Sequence, residues 1–376
     1  MINVLYITAE SGKPIGSALS LKDLIVSVQK EVKPFVVVRT EAAAIFFRQF
    51  GYKTFVVNYP LDITSSKGIK RAVQFIPRLI RDYIQVERAL HQLERICTDN
   101  HIEIIHSNNS VVDIGYMLSK RVHKPHVWHL REFLDLGFGW NPFLGWQRLI
   151  NYFLRSDCTI SITKAIRRHY RMEGHKNAIQ AFDAVRSIND ITYDKNKEKF
   201  FMLCGNISPT KGADTAVRAF GEFCKTNNNY TLKFVGTVSD SYKQELLDIA
   251  SQYGVQSKIV FEGYQSDTKR YYTKATAYLM CSKHEAQGRV TVEAMFYGCP
   301  VIGYNGGGTK EIIEDGVDGY LFNTVKDCAT CMRHVIANHN ISTIIENAHE
   351  KAIKDFSIEN YGEKIIVIYK NLLNSK

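Results

Sequence analysis

The sequence lacks any apolar run near the roughly 20 residues that a membrane-spanning helix needs, so a helical membrane protein is not expected. Its longest apolar stretch, residues 2–9, is interrupted by Asn3 and has no basic leader before it. That reads as a buried strand and not as a secretory signal. Cysteine is sparse: eight are scattered over 376 residues. Cys328 and Cys331 make one Cys-x-x-Cys, but there is no second pair and no histidine–cysteine spacing. A zinc site and a disulfide framework are therefore not expected, and the pair reads as a buried helix face. Low-complexity segments and solenoid-length repeats are also absent. Hydrophobic residues at 45% and charged residues at 23% exclude a disordered or collagen-like chain. The length suffices for two or three domains.

Basic residues are in excess, 48 Lys and Arg against 38 Asp and Glu, for a formal charge of +10. Such a surface favours anionic partners without choosing among them. No nucleic-acid recognition motif is present, so nucleic acid is not an expected partner.

Short β-branched or aromatic runs at residues 4–8, 35–39, 54–58, 104–106 and 126–129 read as strands. Amphipathic stretches at 19–30 and 89–100 read as helices, and a further helix is expected from Pro77 onward. Strand alternating with helix predicts a parallel sheet covered on both faces. Ligands of such sheets sit at the carboxyl ends of the strands. The polar ends here are Thr8-Ala9-Glu10, His106-Ser107-Asn108 and His129-Leu130-Arg131-Glu132. After a polar stretch at 188–199 the pattern restarts. Strands are expected at 200–204, 231–235, 259–261, 277–280 and 300–304, with helices at 213–224, 242–253 and 291–297. The fold class is α/β: two Rossmann-like, doubly wound domains facing a central cleft.

Residues 282–319 carry the most chemistry. A strand ends before Ser282, a loop runs to Gly288, and a helix opens at Arg289. A helix N-terminus after a glycine offers free N–H groups to an anion, and Arg289 adds a forked cation. Glu285 lies before that start and Glu293 one turn inside it. Two carboxylates flanking an anion site suit a ligand whose phosphates lie between hydroxyl-rich groups, as in a nucleotide sugar.

Glu285 and Glu293, with Gly288, Ala294-Met295, Gly298 and Pro300-Val301-Ile302, resemble the E-x7-E signature of retaining GT-B glycosyltransferases of family 4, the glycosyltransferase group 1 type. Gly306-Gly307-Gly308, Glu311 and Asp315-Gly316 fit its downstream pattern. Residues 205–212 resemble its diphosphate loop, and 356–373 its closing helix. The resemblance implies an N-terminal acceptor-binding domain over 1–186, joined by a C-terminal helix at 356–376. It implies a nucleotide-sugar-binding domain over 187–355.

The roles it implies are specific. Lys211 would neutralise the donor diphosphate, with Gly16, Val290 and Thr291 beside it. Glu293 would hold the ribose. Glu285 would hold the hexose, with Ala286, Gln287 and Gly288. His129 would face the donor sugar, so that His129 and Glu285 are the expected catalytic pair. The loop's usual arginine is Asn206 here, and Arg289 is expected to supply its charge. The family needs no resident cofactor. The chain also has no Asp-x-Asp, the metal–diphosphate motif of the other major transferase fold, so no metal is expected.

The implied function is retaining transfer of a hexose-type sugar, from a UDP-sugar in preference to a GDP-sugar. The acceptor would be a glycan or polyprenyl-linked glycan in cell-surface polysaccharide biosynthesis. Rival readings are a nucleotide-sugar epimerase of the same fold and a non-catalytic nucleotide-sugar-binding protein. Seven Lys and Arg against three Asp and Glu between residues 65 and 95 place Arg78, Arg81, Arg88 and Arg95 on one helical arc. Trp140 and Trp146 follow in an aromatic segment. A basic helix beside aromatics is a membrane-surface pattern. The expected location is cytoplasmic, with peripheral attachment to the inner face of the cell membrane.

Overall fold

The structure, a computed structural model, describes residues 1–12, 16–66, 68–190, 193–194 and 196–375. The chain divides into two compact units: Met1–Ala184 with Ile358–Lys376, and Val185–Ser357. In the polar stretch 188–199, residues 191, 192 and 195 lie outside the described residues.

Unit 1 is built on seven strands: β1 Ile2–Thr8, β2 Val32–Val38, β3 Lys53–Val56, β4 Ile104–Asn108, β5 His126–Leu130, β6 Cys158–Ser161 and β7 Ala178–Gln180. All pair in parallel, in the order β3-β2-β1-β4-β5-β6-β7. The central strands are apolar on both faces because helices cover both, and β4 and β5 are buried along their whole length. The direction of winding reverses between β1 and β4, which opens a crevice at their carboxyl ends.

Unit 2 repeats the plan with six parallel strands, in the order β10-β9-β8-β11-β12-β13. These are β8 Phe200–Cys204, β9 Thr231–Val235, β10 Ile259–Gly263, β11 Ala277–Met280, β12 Val301–Tyr304 and β13 Tyr320–Phe322. The reversal falls between β8 and β11. The helix Val325–Ala337 starts with a full capping box, Thr324 and Asp327 each bonding the other's backbone. Cys328 and Cys331 are on its buried side, and all eight cysteines are buried free thiols.

The long helix of unit 1 runs from Gly68 to Asp99 in one piece, with Pro77 inside it. The sequence suggests Pro77 as an entry residue, because proline suits the first turn. Helical pattern on both sides carries the element through, at the loss of one backbone hydrogen bond. Three short strands, β6, β7 and β13, are not evident from periodicity.

The closing helix Ile358–Asn374 returns to unit 1 and packs on the helix Gly16–Val28. Tyr361, Ile365, Ile366 and Tyr369 enter the same core as Val4, Leu21, Leu24 and Ile25. Contact is close at Gly362, where a Cβ would stand 2.1 Å from the Ser27 carbonyl oxygen. Gly362→Ala therefore forces the two helices apart. We expect a loss of about 1–3 kcal/mol, the usual cost of overpacking, read as a lower urea midpoint; an unchanged midpoint would contradict this seating.

Candidate functional site

In unit 2, β8, β11 and β12 are neighbours, so the loops at their carboxyl ends meet. The loop after β8 ends in a short 3-10 turn, Pro209–Lys211. The loop after β11 leads into the helix Arg289–Phe296. Ser282 donates from Oγ to the Thr210 carbonyl at 3.1 Å, tying the two loops together. The turn after β12 closes from below: the Gly308 N–H donates to the Glu285 carbonyl at 2.8 Å. A Cβ on Gly308 would stand 2.0 Å from the Ala286 carbonyl oxygen, so only glycine fits this close approach.

Two charge pairs occupy this place. Lys211 Nζ donates to Glu285 Oε2 at 2.7 Å. Arg186 Nη2 donates to Glu293 Oε1 at 3.0 Å. Both carboxylates are mostly buried, with side chains 13% exposed. Arg289 reaches the Val185 carbonyl through a long 3.5 Å hydrogen bond. Gln287 is buried, Ala286 and Val290 half-buried, and Gly288 caps the helix. The Thr291 N–H donates to the Gly288 carbonyl at 2.9 Å, while its buried Oγ1 has no partner. Asn206 is exposed and accepts from Thr237 Oγ1 at 3.3 Å. The structure thus gathers Lys211, Glu285, Glu293 and Arg289 into one half-buried polar patch.

Unit 1 has a second polar cluster at the ends of β1, β4 and β5. Thr8, Asn108 and His129 stand in register across the three strands. His129 is fully buried. Its Nε2 is 3.3 Å from Asp183 Oδ1, but neither ring nitrogen has an aligned partner. Burial, reinforced by the Arg131 charge, holds its pKa well below the usual histidine value, so the ring is neutral. Arg131 grips Asp183 with two hydrogen bonds, Nε to Oδ2 at 2.7 Å and Nη2 to Oδ1 at 3.0 Å. Tyr361 of the closing helix donates to Asp183 Oδ1 at 3.2 Å. Tyr369 of the same helix meets His106 Nδ1 at 2.7 Å. His126 is a packed residue: its ring nitrogens face Ser107 Oγ at 2.9 Å and Ser156 Oγ at 3.0 Å, and burial lowers its pKa to about 3.

Gly16 opens the first helix of unit 1; residues 13–15 before it lie outside the described residues. The Ser17 hydroxyl donates to the Glu10 carboxylate, so an acidic side chain lies next to Gly16, the residue expected beside the donor diphosphate. Glu132 accepts from the Ser110 N–H at 2.8 Å and Oγ at 2.6 Å. Burial raises both carboxyl pKa values. The sequence marks Glu10, Arg131 and Glu132 only as polar strand ends. Asp183 and Arg186 carry no motif.

The basic stripe is partly spent within the fold. Arg78 pairs with Asp82 at 3.0 Å, donates to the Ile63 carbonyl at 2.7 Å and lies over the Phe143 ring at 4.2 Å. Arg81 shares Asp82 at 2.7 Å, and Arg88 is exposed. Trp146 is half-buried and donates from Nε1 to Asn141 at 3.2 Å; Trp140 stacks on Phe138 at 4.9 Å. The same helix shows an apolar stripe not evident from its charges: Ile76, Ile80 and Tyr83 are 65%, 57% and 66% exposed. Among the described residues no helix is long and apolar enough to cross a membrane, and no group of three or more His, Cys, Asp or Glu could hold a metal.

Residues 186–354 match the family described as Glycosyl transferases group 1. Over 238 residues the chain is 24% identical to the lipopolysaccharide core biosynthesis glycosyltransferase LpsE of Rhizobium meliloti (strain 1021), covering 60% of this chain and 67% of that protein. It is 28% identical over 204 residues to the alpha-1,3/1,6-mannosyltransferase ALG2 of Dictyostelium discoideum, covering 49% and 48%. The chain thus spans about half to two thirds of the length of these relatives. HepE of Anabaena, solved in complex with UDP, superposes with a TM-score of 0.81 over 98% of this chain and 100% of that one, at 19% identity. HepE has also been solved with UDP-glucose. The likeness shows a shared GT-B fold.

The buried Arg131–Asp183 pair yields a direct expectation. Asp183→Ala leaves a guanidinium buried without its carboxylate, which costs about 3–5 kcal/mol. Chemical denaturation should show that loss, and a change below about 1 kcal/mol would mean that water reaches the pair.

Proposed function

We propose that this chain, a glycosyltransferase by its group 1 domain over residues 186–354, transfers a hexose-type sugar, with retention, from a nucleotide-diphosphate sugar. A UDP-sugar is favoured over a GDP-sugar, and the acceptor is a glycan or lipid-linked glycan of the cell surface. The observation that carries the reading is the patch in unit 2, where Lys211 and Arg289 stand among Glu285 and Glu293 around one helix start. The UDP-bound HepE structures support the choice of donor class.

The chemistry follows from charge. As the bond from the sugar's C1 to the diphosphate oxygen breaks, negative charge grows on the leaving diphosphate and positive charge on the sugar ring. Stabilising the first is the largest task. Lys211 is the main cation for it, and Arg289 the second. In the unliganded protein Glu285 pairs with Lys211, so the donor's phosphates take over an ammonium that is already placed. Glu285 then accepts from hexose hydroxyls, and Glu293 accepts from the ribose diol. The protein supplies the positive charge itself, so we propose that no metal is needed.

A second reading concerns location. The exposed Ile76, Ile80 and Tyr83 recur at helical spacing, with Arg88 beyond them. We propose that this face lies on an anionic membrane surface, as suits a lipid-linked acceptor, with the protein otherwise in the cytoplasm.

Two tests follow. Lys211→Ala removes a charge-assisted contact of about 1.5–3 kcal/mol, so turnover of the best-binding nucleotide sugar should fall roughly 10- to 100-fold. Activity should persist in EDTA. Product analysis separates the rivals: an epimerised nucleotide sugar, or binding without product, would replace this reading. For location, the wild type should sediment with anionic vesicles and stay partly bound at high salt. Ile76→Ser/Ile80→Ser/Tyr83→Ser should abolish the salt-resistant part. No sedimentation by either protein would leave a soluble acceptor.

A further inference from the structure

Arg186 lies one residue past the start of unit 2, on the segment that enters it, and 107 positions from the carboxylate it holds. Its backbone is fixed. Val185 donates to the Phe356 carbonyl at 2.9 Å, and Arg186 bridges in parallel to Ser357. The guanidinium then spans two residues one turn apart on a single helix face. Nη2 reaches Glu293 Oε1 at 3.0 Å, and the charge centre lies 5.8 Å from the Tyr297 ring. The same helix reaches back to this segment through Arg289, whose Nη2 meets the Val185 carbonyl.

We propose that Arg186 is a positioning residue for the donor: it clamps one oxygen of Glu293, so that the other is presented in one rotamer to the donor's vicinal ribose hydroxyls. This rests on the reading of unit 2 as a nucleotide-sugar site. The physical ground is directional: a charge-assisted hydrogen bond to one oxygen holds a mostly buried carboxylate in a single rotamer. Lys211 is committed to Glu285, and Arg186 is the cation on Glu293. A guanidinium suits the task better than an ammonium because its planar fork fixes direction as well as charge. Arg186 touches no donor atom in this account. Its effect should therefore appear only through the hydroxyls that Glu293 contacts.

The test is a comparison of UDP with 2′-deoxy-UDP by calorimetry, on wild type, Arg186→Gln and Arg186→Lys, with donor kinetics beside it. We expect the wild type to prefer UDP about 10-fold, as one charged hydrogen bond commands. Arg186→Gln should lose about 10-fold in UDP affinity and little in 2′-deoxy-UDP affinity, so the preference collapses. Arg186→Lys should restore part of it. In turnover KM should rise while kcat stays within about 2-fold. Equal loss for both nucleotides would assign Arg186 a merely structural role and overturn the proposal, as would unchanged UDP binding. A wild type that binds neither nucleotide would instead overturn the nucleotide-sugar reading, and the proposal with it.

Discussion

Unit 1 depends on one buried ion pair. Arg131, just past the end of β5, and Asp183, at the last turn of chain before unit 2, are both nearly inaccessible to water. Removing two charges from water is costly, and only close, doubly hydrogen-bonded geometry offsets it. That requirement fixes more than the pair. It draws Tyr361 onto Asp183 and so seats the closing helix, and its Arg131 end adds to the burial that lowers the His129 pKa. The strand ends, the exit of the chain and its return are held by one carboxylate.

Unit 2 manages charge differently. Its carboxylates are mostly buried and its cations half-buried, and they are paired with each other, Lys211 with Glu285 and Arg186 with Glu293. Such pairs add little stability in themselves. Their value lies in holding all four side chains in place while no ligand is present. The contrast is physical: unit 1 spends burial on rigidity, and unit 2 leaves its charges accessible enough to be exchanged.

The legible parts were the local ones. The α/β class, the strand ends and the loop-to-helix start holding Glu285 and Glu293 fall within short runs of sequence, where periodicity and glycine placement have direct structural meaning. Contacts that join distant residues were not legible. Asp183 is 52 positions from Arg131, and Arg186 is 107 from Glu293; no spacing marks either. The arginine arc is helical as expected and Arg88 is exposed, while Arg78 and Arg81 both reach Asp82, and the same helix exposes Ile76, Ile80 and Tyr83. Pro77 hid the length of the helix, because a proline's usual place at a helix start outweighed the pattern before it.

The hydrogen bond from Val185 to Phe356 also has a consequence for the chain's architecture. The first and last residues of unit 2 are neighbours, so the whole unit is an insert that leaves the host chain and rejoins it at a single point. Such a cassette needs no spanning linker at either joint, the arrangement in which domain insertion and circular permutation are tolerated. A unit of this kind can be exchanged by recombination at one place: unit 1 keeps its closing helix, and unit 2 keeps its own core.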